Sequence, residues 1–474
     1  MSGRRVVRSV TGVRKQLRKW VVLMVVLVIA MASPLPAQAH GVSPTADLQL
    51  AQTFAGNDLT IVLRRTPEVP GPLQVEVFAH TPVRPTTLTL AIAGQPHNAH
   101  LKLVSPGVQA ATLHVERAGE QVLELRAGDQ HATIPFRVLV DRLATWEIIT
   151  YGGFAAAGLL MITSLGSAVL RRSSIRALAV PQAVGAVLAL VVAATTAGLS
   201  KDLPPAVPDG APPTTGLRAD AADGSAPNGR PYVNLRLSTQ PANPRTGQEF
   251  DLVLSLTDGS SGRPADDLVA HHAALIHTVI TSQAGREFRH VHPVRTAPGV
   301  LTVRLSVRTP GKHLLYAEFE RADSGAQLVS GSFQVAGAQL PPQAKDDGVD
   351  VQVALSPRHV VAGRPVTIQA EVSANGRPVR DLQPWLGMAG HLVIRDASGN
   401  FFGHVHELTS MAAQARRSAT KAPLQDETVA REGPTLRFTY TFPAPGRYLV
   451  WVQFARAFRI HTVPLTIDVA KGQP

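Results

Sequence analysis

The sequence predicts a mainly β protein: three extracytoplasmic antiparallel β-sandwich domains and a two-helix transmembrane hairpin. Three observations predict it. Short runs that alternate apolar and polar residues fill most of the chain, two apolar runs of helix-spanning length stand close together, and the C-terminal half repeats itself. Composition agrees. Only 5% of the 474 residues are aromatic, while 38 Gly and 37 Pro supply many turns. There is no cysteine, so disulfides are excluded and any metal site must draw on His, Met, carboxylates or backbone. The net charge of +12 is inflated by Arg4, Arg5, Arg8, Arg14, Lys15, Arg18 and Lys19. The remainder has no dense basic helix and no basic-aromatic interleaving, which argues against nucleic acid as a partner.

Residues 1–39 read as a signal peptide. A basic start precedes the apolar stretch from Val21 to Ala32, and Ala37 and Ala39 fit a small-residue cleavage pattern. An uncleaved anchor is the other reading. Cleavage after Ala39 makes His40 the first mature residue, whose amine and imidazole can chelate Cu(II) together; the alternative is that His40 is incidental. Residues 40–145 form the first expected sandwich, from segments such as "LTIVLRR", "LQVEVFAH" and "QVLELRA". Its histidines, His80, His97, His100, His114 and His131, show no pattern.

The two apolar runs define transmembrane helices at 146–170 and 177–199, each close to the ~20 residues needed to cross a bilayer. Arg171, Arg172 and Arg176 lie between them, and the positive-inside rule puts that short loop in the cytoplasm. The expected location is therefore the plasma membrane, multi-pass, with the domains on both sides of the hairpin extracytoplasmic and the lipid bilayer as a partner. Neither apolar run, Ile148–Leu170 or Leu178–Gly198, carries Asp, Glu, Lys, Arg or His, so the helices read as anchors rather than as an ion path. Residues 200–230, rich in Pro, Asp, Gly and Ala, read as a flexible linker.

The repeat covers 231–337 and 348–470. "DLVAHHAALIHTVITSQAGREFRHVHPV" aligns with "DLQPWLGMAGHLVIRDASGNFFGHVHEL", and "GKHLLYAEFER" aligns with "GRYLVWVQFAR" after about 21 extra residues in the second copy. That insertion, "TSMAAQARRSATKAPLQDETVAREG", reads as a mobile loop. Each copy carries three histidines at one spacing: His277, His290 and His292, then His391, His404 and His406. If Ala284-Gly285 and Ser398-Gly399 are two-residue hairpin loops, His277 faces His292 and His391 faces His406. His290 and His404 then lie diagonally on the same face. Three imidazoles so placed can converge on one ion; the plainer reading is a polar hairpin satisfied by backbone. Met388 can add a thioether in the second copy, which favours Cu(I). In the first copy Ala274 stands there instead, with His271 and His272 nearby.

These stretches resemble the YtkA-like domains of bacterial exported proteins, over about residues 232–470. The resemblance implies small immunoglobulin-like β-sandwiches. Carried onto this chain, it implies as metal ligands His391, His404 and His406 with Met388, and His277, His290 and His292 with His272. The chain departs from the pattern at Glu407, where Pro is usual, and at Ala274. With the N-terminal region assigned to the same class, three immunoglobulin-like sandwiches are expected. The function expected is metal binding, with copper the first choice and zinc the alternative, serving copper handling, resistance or delivery. Delivery implies an exported metalloprotein as partner. The alternative is a non-catalytic adhesion or interaction protein. No nucleophile–base pair, paired carboxylates or H-E-x-x-H motif supports an enzyme, so no catalytic residue is assigned.

Overall fold

The structure, a computed structural model, describes residues 48–472 except 65, 170–174, 176, 205, 212–231, 323–324, 342–347 and 421–425. The expected signal peptide, His40, the arginine loop and most of the expected linker lie outside the described residues.

The chain is mainly β. Alternation of apolar and polar side chains puts one face of each strand inward, and named strands pair antiparallel throughout. The first eight are β1 (Leu48–Phe54), β2 (Asn57–Leu63), β3 (Gly71–Ala79), β4 (Thr86–Ile92), β5 (Asn98–Leu103), β6 (Gly107–Val115), β7 (Gly119–Ala127) and β8 (Gln130–Val138). They form sheets β1-β2-β3-β6 and β5-β4-β7-β8 over one core that includes Val75, Val77, Leu88 and Leu90.

Two helices follow, α1 (Thr145–Val169) and α2 (Ala179–Gly198), of 25 and 20 residues, both long and apolar enough to cross a membrane. They pack antiparallel through small residues. Thr150 near the start of α1 shares a 2.6 Å hydroxyl hydrogen bond with Thr196 near the end of α2, and Gly153 leaves no room for a Cβ against Ala193. At the other end, Ser167 donates to the Gln182 side chain at 3.1 Å. Residues 141–209 belong to one compact unit; residues 45–140 and 210–474 form a second.

The first repeat contributes β9 (Val233–Gln240), β10 (Phe250–Asp258), β11 (Leu268–Val269), β12 (His277–Ser282), β13 (Phe288–Val291), β14 (Val294–Ala297), β15 (Val300–Leu305), β16 (Gly311–Arg321) and β17 (Gly325–Val335). Its sheets, β14-β15-β10-β9 and β11-β16-β12-β13 with β17 beside β16, enclose Leu252, Leu254, Ile280 and Phe319. The second repeat contributes β18 (Val349–Ser356), β19 (Pro365–Ala374), β20 (Arg377–Pro378), β21 (Leu382–Gln383), β22 (His391–Asp396), β23 (Phe402–His406), β24 (Thr435–Thr441), β25 (Gly446–Arg456) and β26 (Arg459–Val469). Its sheets, β18-β19-β20 with β24 beside β19, and β21-β25-β22-β23 with β26 beside β25, enclose Ile368, Leu392, Phe438 and Val452. Equivalent strands therefore occupy equivalent places in the two repeats.

The insertion departs from the loop expected of it. Leu408–Thr420 is a helix, α3. Its residues are mostly good helix formers, and Glu407 supplies the start: its carboxylate accepts from the Ser410 backbone N–H at 2.9 Å. This is the position where the family resemblance leads one to expect Pro.

The hairpin registers place the histidines as the spacing implies. His391 pairs directly with His406 and Val393 with His404; in the first repeat Thr278 pairs with Val291 and Val279 with His290. The loops are longer than the two residues expected. In the first hairpin Ser282 and Glu287 close a four-residue loop, because the Gln283 N–H goes instead to the Lys312 carbonyl of β16. The pairing sum is unchanged, so the common face survives.

The outer faces of the two hairpin sheets pack on each other. Val279 and Val393, equivalent residues, meet in one small core with Trp451, Phe288, Phe402 and Leu449. Phe288 stacks on Trp451 (centroids 4.8 Å apart) and Phe402 on Tyr316 (4.6 Å), each the counterpart of the other. Gly285 and Gly399, at φ +73° and +87°, bring each hairpin tip so close to the other repeat that a Cβ would strike Leu449 or Leu314. The repeats thus form an internal pseudo-two-fold pair. Arg395, fully buried, ties it together by donating to the Ser282 and Gln283 carbonyls at 2.9 and 2.7 Å. Arg395→Met removes the partner of the Gln283 carbonyl and one of two donors to the Ser282 carbonyl, which keeps the Gly285 N–H. It is expected to cost about 2–3 kcal/mol in urea unfolding; a cost under about 0.5 kcal/mol would contradict this role.

Candidate metal centre

Each repeat brings its three histidines together: within each triad, one ring nitrogen per residue lies within 4.8 Å of the others. In the first triad His277 Nε2 points at the His271 carbonyl, 3.1 Å away, and His290 Nδ1 at Gln453 Oε1, 2.9 Å away. Oxygens of this kind carry no proton, so both ring nitrogens must donate. The Gln453 amide is oriented by its own Nε2, which donates to Thr462 at 3.0 Å. His277 Nδ1 and His290 Nε2 are then left as lone pairs, facing each other at 3.3 Å.

The second triad repeats the arrangement. His391 Nε2 donates to the Trp385 carbonyl at 3.0 Å, and His404 Nδ1 to Glu318 Oε2 at 3.1 Å. His391 Nδ1 and His404 Nε2 face each other at 3.2 Å. The third members complete the pattern. Nε2 of His292 and Nε2 of His406 are buried and have no hydrogen-bond partner among the described residues. Such a buried, unmet nitrogen costs about 1–3 kcal/mol unless something else satisfies it.

Two nitrogens bound to one ion at about 2.0–2.1 Å in tetrahedral geometry lie about 3.3 Å apart. The facing nitrogens already have that spacing. In the first triad a hydrogen bond does not explain the contact, since with His277 and His290 held neutral by burial neither facing nitrogen has a proton to share.

The two triads, one in each repeat, lie side by side. Across the repeats, the His290 ring centroid lies 5.2 Å from that of His404 and 6.0 Å from that of His391, and His277 lies 5.5 Å from His404. Each triad is also oriented by the other repeat: Glu318 of the first holds His404, and Gln453 of the second holds His290. His272 sits 4.2 Å from His406, so it adjoins the second triad rather than that of its own repeat. Met388 is fully buried, and its backbone pairs with that of Trp385, which bears the carbonyl that orients His391. Trp385 itself walls the cluster, 4.9 to 6.1 Å from His391, His290 and His292.

Burial disfavours the charged form of most of these histidines. It pulls His277, His290, His292 and His406 well below the ordinary imidazole value, and the neighbouring histidines add to the effect. Burial also lowers His391 to about 3 and His272 to about 4. Glu318 moves the other way from what burial dictates. Burial raises its carboxyl, but the hydrogen bond from His404 and the nearby histidines bring it below the usual value.

The first sandwich covers the cluster. Ala51 of β1 donates to the Ala273 carbonyl at 2.7 Å, and Thr53 exchanges bonds with His292, N–H to carbonyl at 2.8 Å and hydroxyl from N–H at 2.9 Å. Ala51 packs with Ala274, Trp385, Leu386 and Ala455. Beside it, His80 and Glu427 form a second buried pair, 4.0 Å apart. Burial lowers His80 to about 4 and raises Glu427 to about 7.

Sequence reasoning missed Glu318, Gln453, Trp385, Thr53, His80 and Glu427. One signal existed for the first two: "YAEF" and "WVQF" each put one polar residue on the outward face of an otherwise apolar strand. His313 and His461 hold strand positions and stack on Phe333 and Phe454.

A family model described as a domain of unknown function (DUF8832) matches residues 232–336 and 344–471, the two repeats. A search of curated proteins gives no match. Among solved structures the chain is similar to the FdeC adhesin of Escherichia coli, at 12% identity over 90% of this chain and 99% of that one, with a TM-score of 0.16. It is similar to the FN1–FN3 domains of chicken CNTN1, at 8% identity over 87% and 97%, with a TM-score of 0.15. A two-domain fibronectin type-III segment of chicken tenascin matches at 11% identity over 51% and 100%, with a TM-score of 0.15. Nothing about activity follows from likeness at this level.

Proposed function

We propose that the protein is a membrane-anchored, extracytoplasmic transition-metal-binding protein, with copper the first expectation and zinc the alternative, acting in metal handling, resistance or delivery. One observation carries the reading. In each triad two imidazoles, each with its far nitrogen donating to an oxygen acceptor, aim their other nitrogens at each other, while Nε2 of the third histidine stays unmet. A Lewis acid at the common point relieves the repulsion and supplies the missing partner. Neutral imidazole is a ligand for copper and zinc, and the acceptor oxygens of Trp385, Glu318 and their counterparts are the outer partners that such ligands commonly have. The YtkA-like resemblance belongs to this proposal, as do the six histidines with His272 and Met388 as further ligands. The membrane anchor rests on α1 and α2, and the orientation on Arg171, Arg172 and Arg176 between them.

The test uses the full chain in detergent, stripped with chelator and loaded with Cu(I), Cu(II) or Zn(II). Two ions per chain are expected after desalting, and His277→Ala with His391→Ala should remove both. Near-zero stoichiometry, or stoichiometry unchanged in the double variant, would sink the reading. A second reading, a non-catalytic interaction protein, is favoured by the large share of sandwich surface that plays no part in the cluster; it expects no stoichiometric metal.

A further inference from the structure

We infer that the two triads hold their ions as one coupled two-metal centre, filled in order, with the His391–His404–His406 triad first. The inference rests on the metal-binding reading and goes further on two observations.

The first is proximity. Rings of one triad lie 5.2 to 6.0 Å from rings of the other, inside a single buried cluster. An ion in one triad is therefore felt by an ion in the other, and the second cation enters against the charge of the first.

The second is a broken symmetry. The pseudo-two-fold relation makes His290 the counterpart of His404, and Glu318 the counterpart of Gln453. His404 donates to a carboxylate, whereas His290 donates to a neutral amide. A carboxylate on the far nitrogen makes the imidazole a stronger ligand and sets negative charge beside the ion. At the matching position beside the first triad stands the neutral Gln453 amide. His272, adjoining His406, adds a further imidazole on the same side. All three differences favour the second triad. Glu318 is a positioning residue here: it acts through His404 and is not itself assigned as a ligand.

The test is a Cu(II) titration of the full chain followed by electron paramagnetic resonance. The first equivalent should give an ordinary mononuclear signal. The second should broaden or quench it through coupling between the two ions. Glu318→Gln, which copies the other repeat's own solution at nearly the same shape, should weaken the first step by roughly 10- to 100-fold and bring the two steps together. Gln453→Glu should strengthen the second step. Thermal melting of the chelated variants shows that they fold. Two equivalents whose signals simply add, or first-step affinity unchanged in a folded Glu318→Gln protein, would overturn the coupled, ordered centre while leaving metal binding intact. Failure to take up copper or zinc at all would overturn both readings.

Discussion

Stripped of metal, the protein is expected to lose stability steeply on acidification below about pH 6.5, the ordinary value for an unfolded histidine. In the fold, His277, His290, His292, His391 and His406 are held below that value by burial and by one another. In the unfolded chain each binds a proton as pH falls through about 6.5, so the unfolded state then holds more protons. The sign is therefore destabilising in acid, at about 1.4 kcal/mol per pH unit for each histidine that stays neutral in the fold. Glu427 works the other way. Its folded value of about 7 lies above the usual 4.5, so its protonation favours the fold as pH drops through that window, offsetting roughly one histidine. The net loss at pH 5.5 is on the order of 5 kcal/mol. Urea unfolding of the chelated protein at pH 7.5, 6.5 and 5.5 measures it directly. Equal stability at all three would mean that the imidazoles are not buried together.

The same neutrality bears on the metal. Imidazoles that carry no proton at neutral pH release none when an ion arrives, so proton competition sets in only in acid. The fold prepares the ligands; the cost is an acid-labile metal-free state.

The hairpin geometry was legible in the sequence because strand side chains alternate strictly. With turns at Gly285 and Gly399, strand alternation alone sets His391 opposite His406, and the pairing agrees. Loop length was misjudged without harm, since lengthening a hairpin loop by one residue on each side preserves the sum. What arithmetic does not show is what covers the outer face of a sheet. The signal was present nonetheless. "HTVITS" does not alternate between apolar and charged residues, and every one of its six residues is buried. A strand buried on both faces needs a second layer, and here that layer is the other repeat. The covering by β1 had no comparable signal, because Ala51 and Thr53 read as ordinary strand residues. His80 looked scattered for the same reason: its partner Glu427 lies 347 residues away in a segment that resembled a loop. Apolar runs identified α1 and α2 because length and hydropathy suffice for helices of that kind. In α3 the polar character of the segment hid a helix that its Ala and Arg content and the Glu407 cap support.

The clearest separation of a ligand from a structural histidine comes from His406→Leu. A buried histidine kept for packing would lose stability when replaced, by 2 kcal/mol or more if its hydrogen bonds mattered. His406 stands differently, because its Nε2 has no partner to lose. Leucine fills similar space and removes the unmet nitrogen, so the chelated variant is expected to be as stable as the parent or more stable by about 1 kcal/mol. The metal-loaded protein should show the opposite. Free ion at 100 times its dissociation constant stabilises the parent by about 2.7 kcal/mol per site, and His406→Leu should forfeit the share due to the second triad. His292→Leu should do the same for the first, and the pair together should leave melting indifferent to added Zn(II). The two measurements thus move in opposite directions for one substitution, as expected where a fold accepts an unsatisfied group for the sake of binding. A chelated His406→Leu protein that melts far below the parent, with metal stabilisation intact, would make His406 a structural residue.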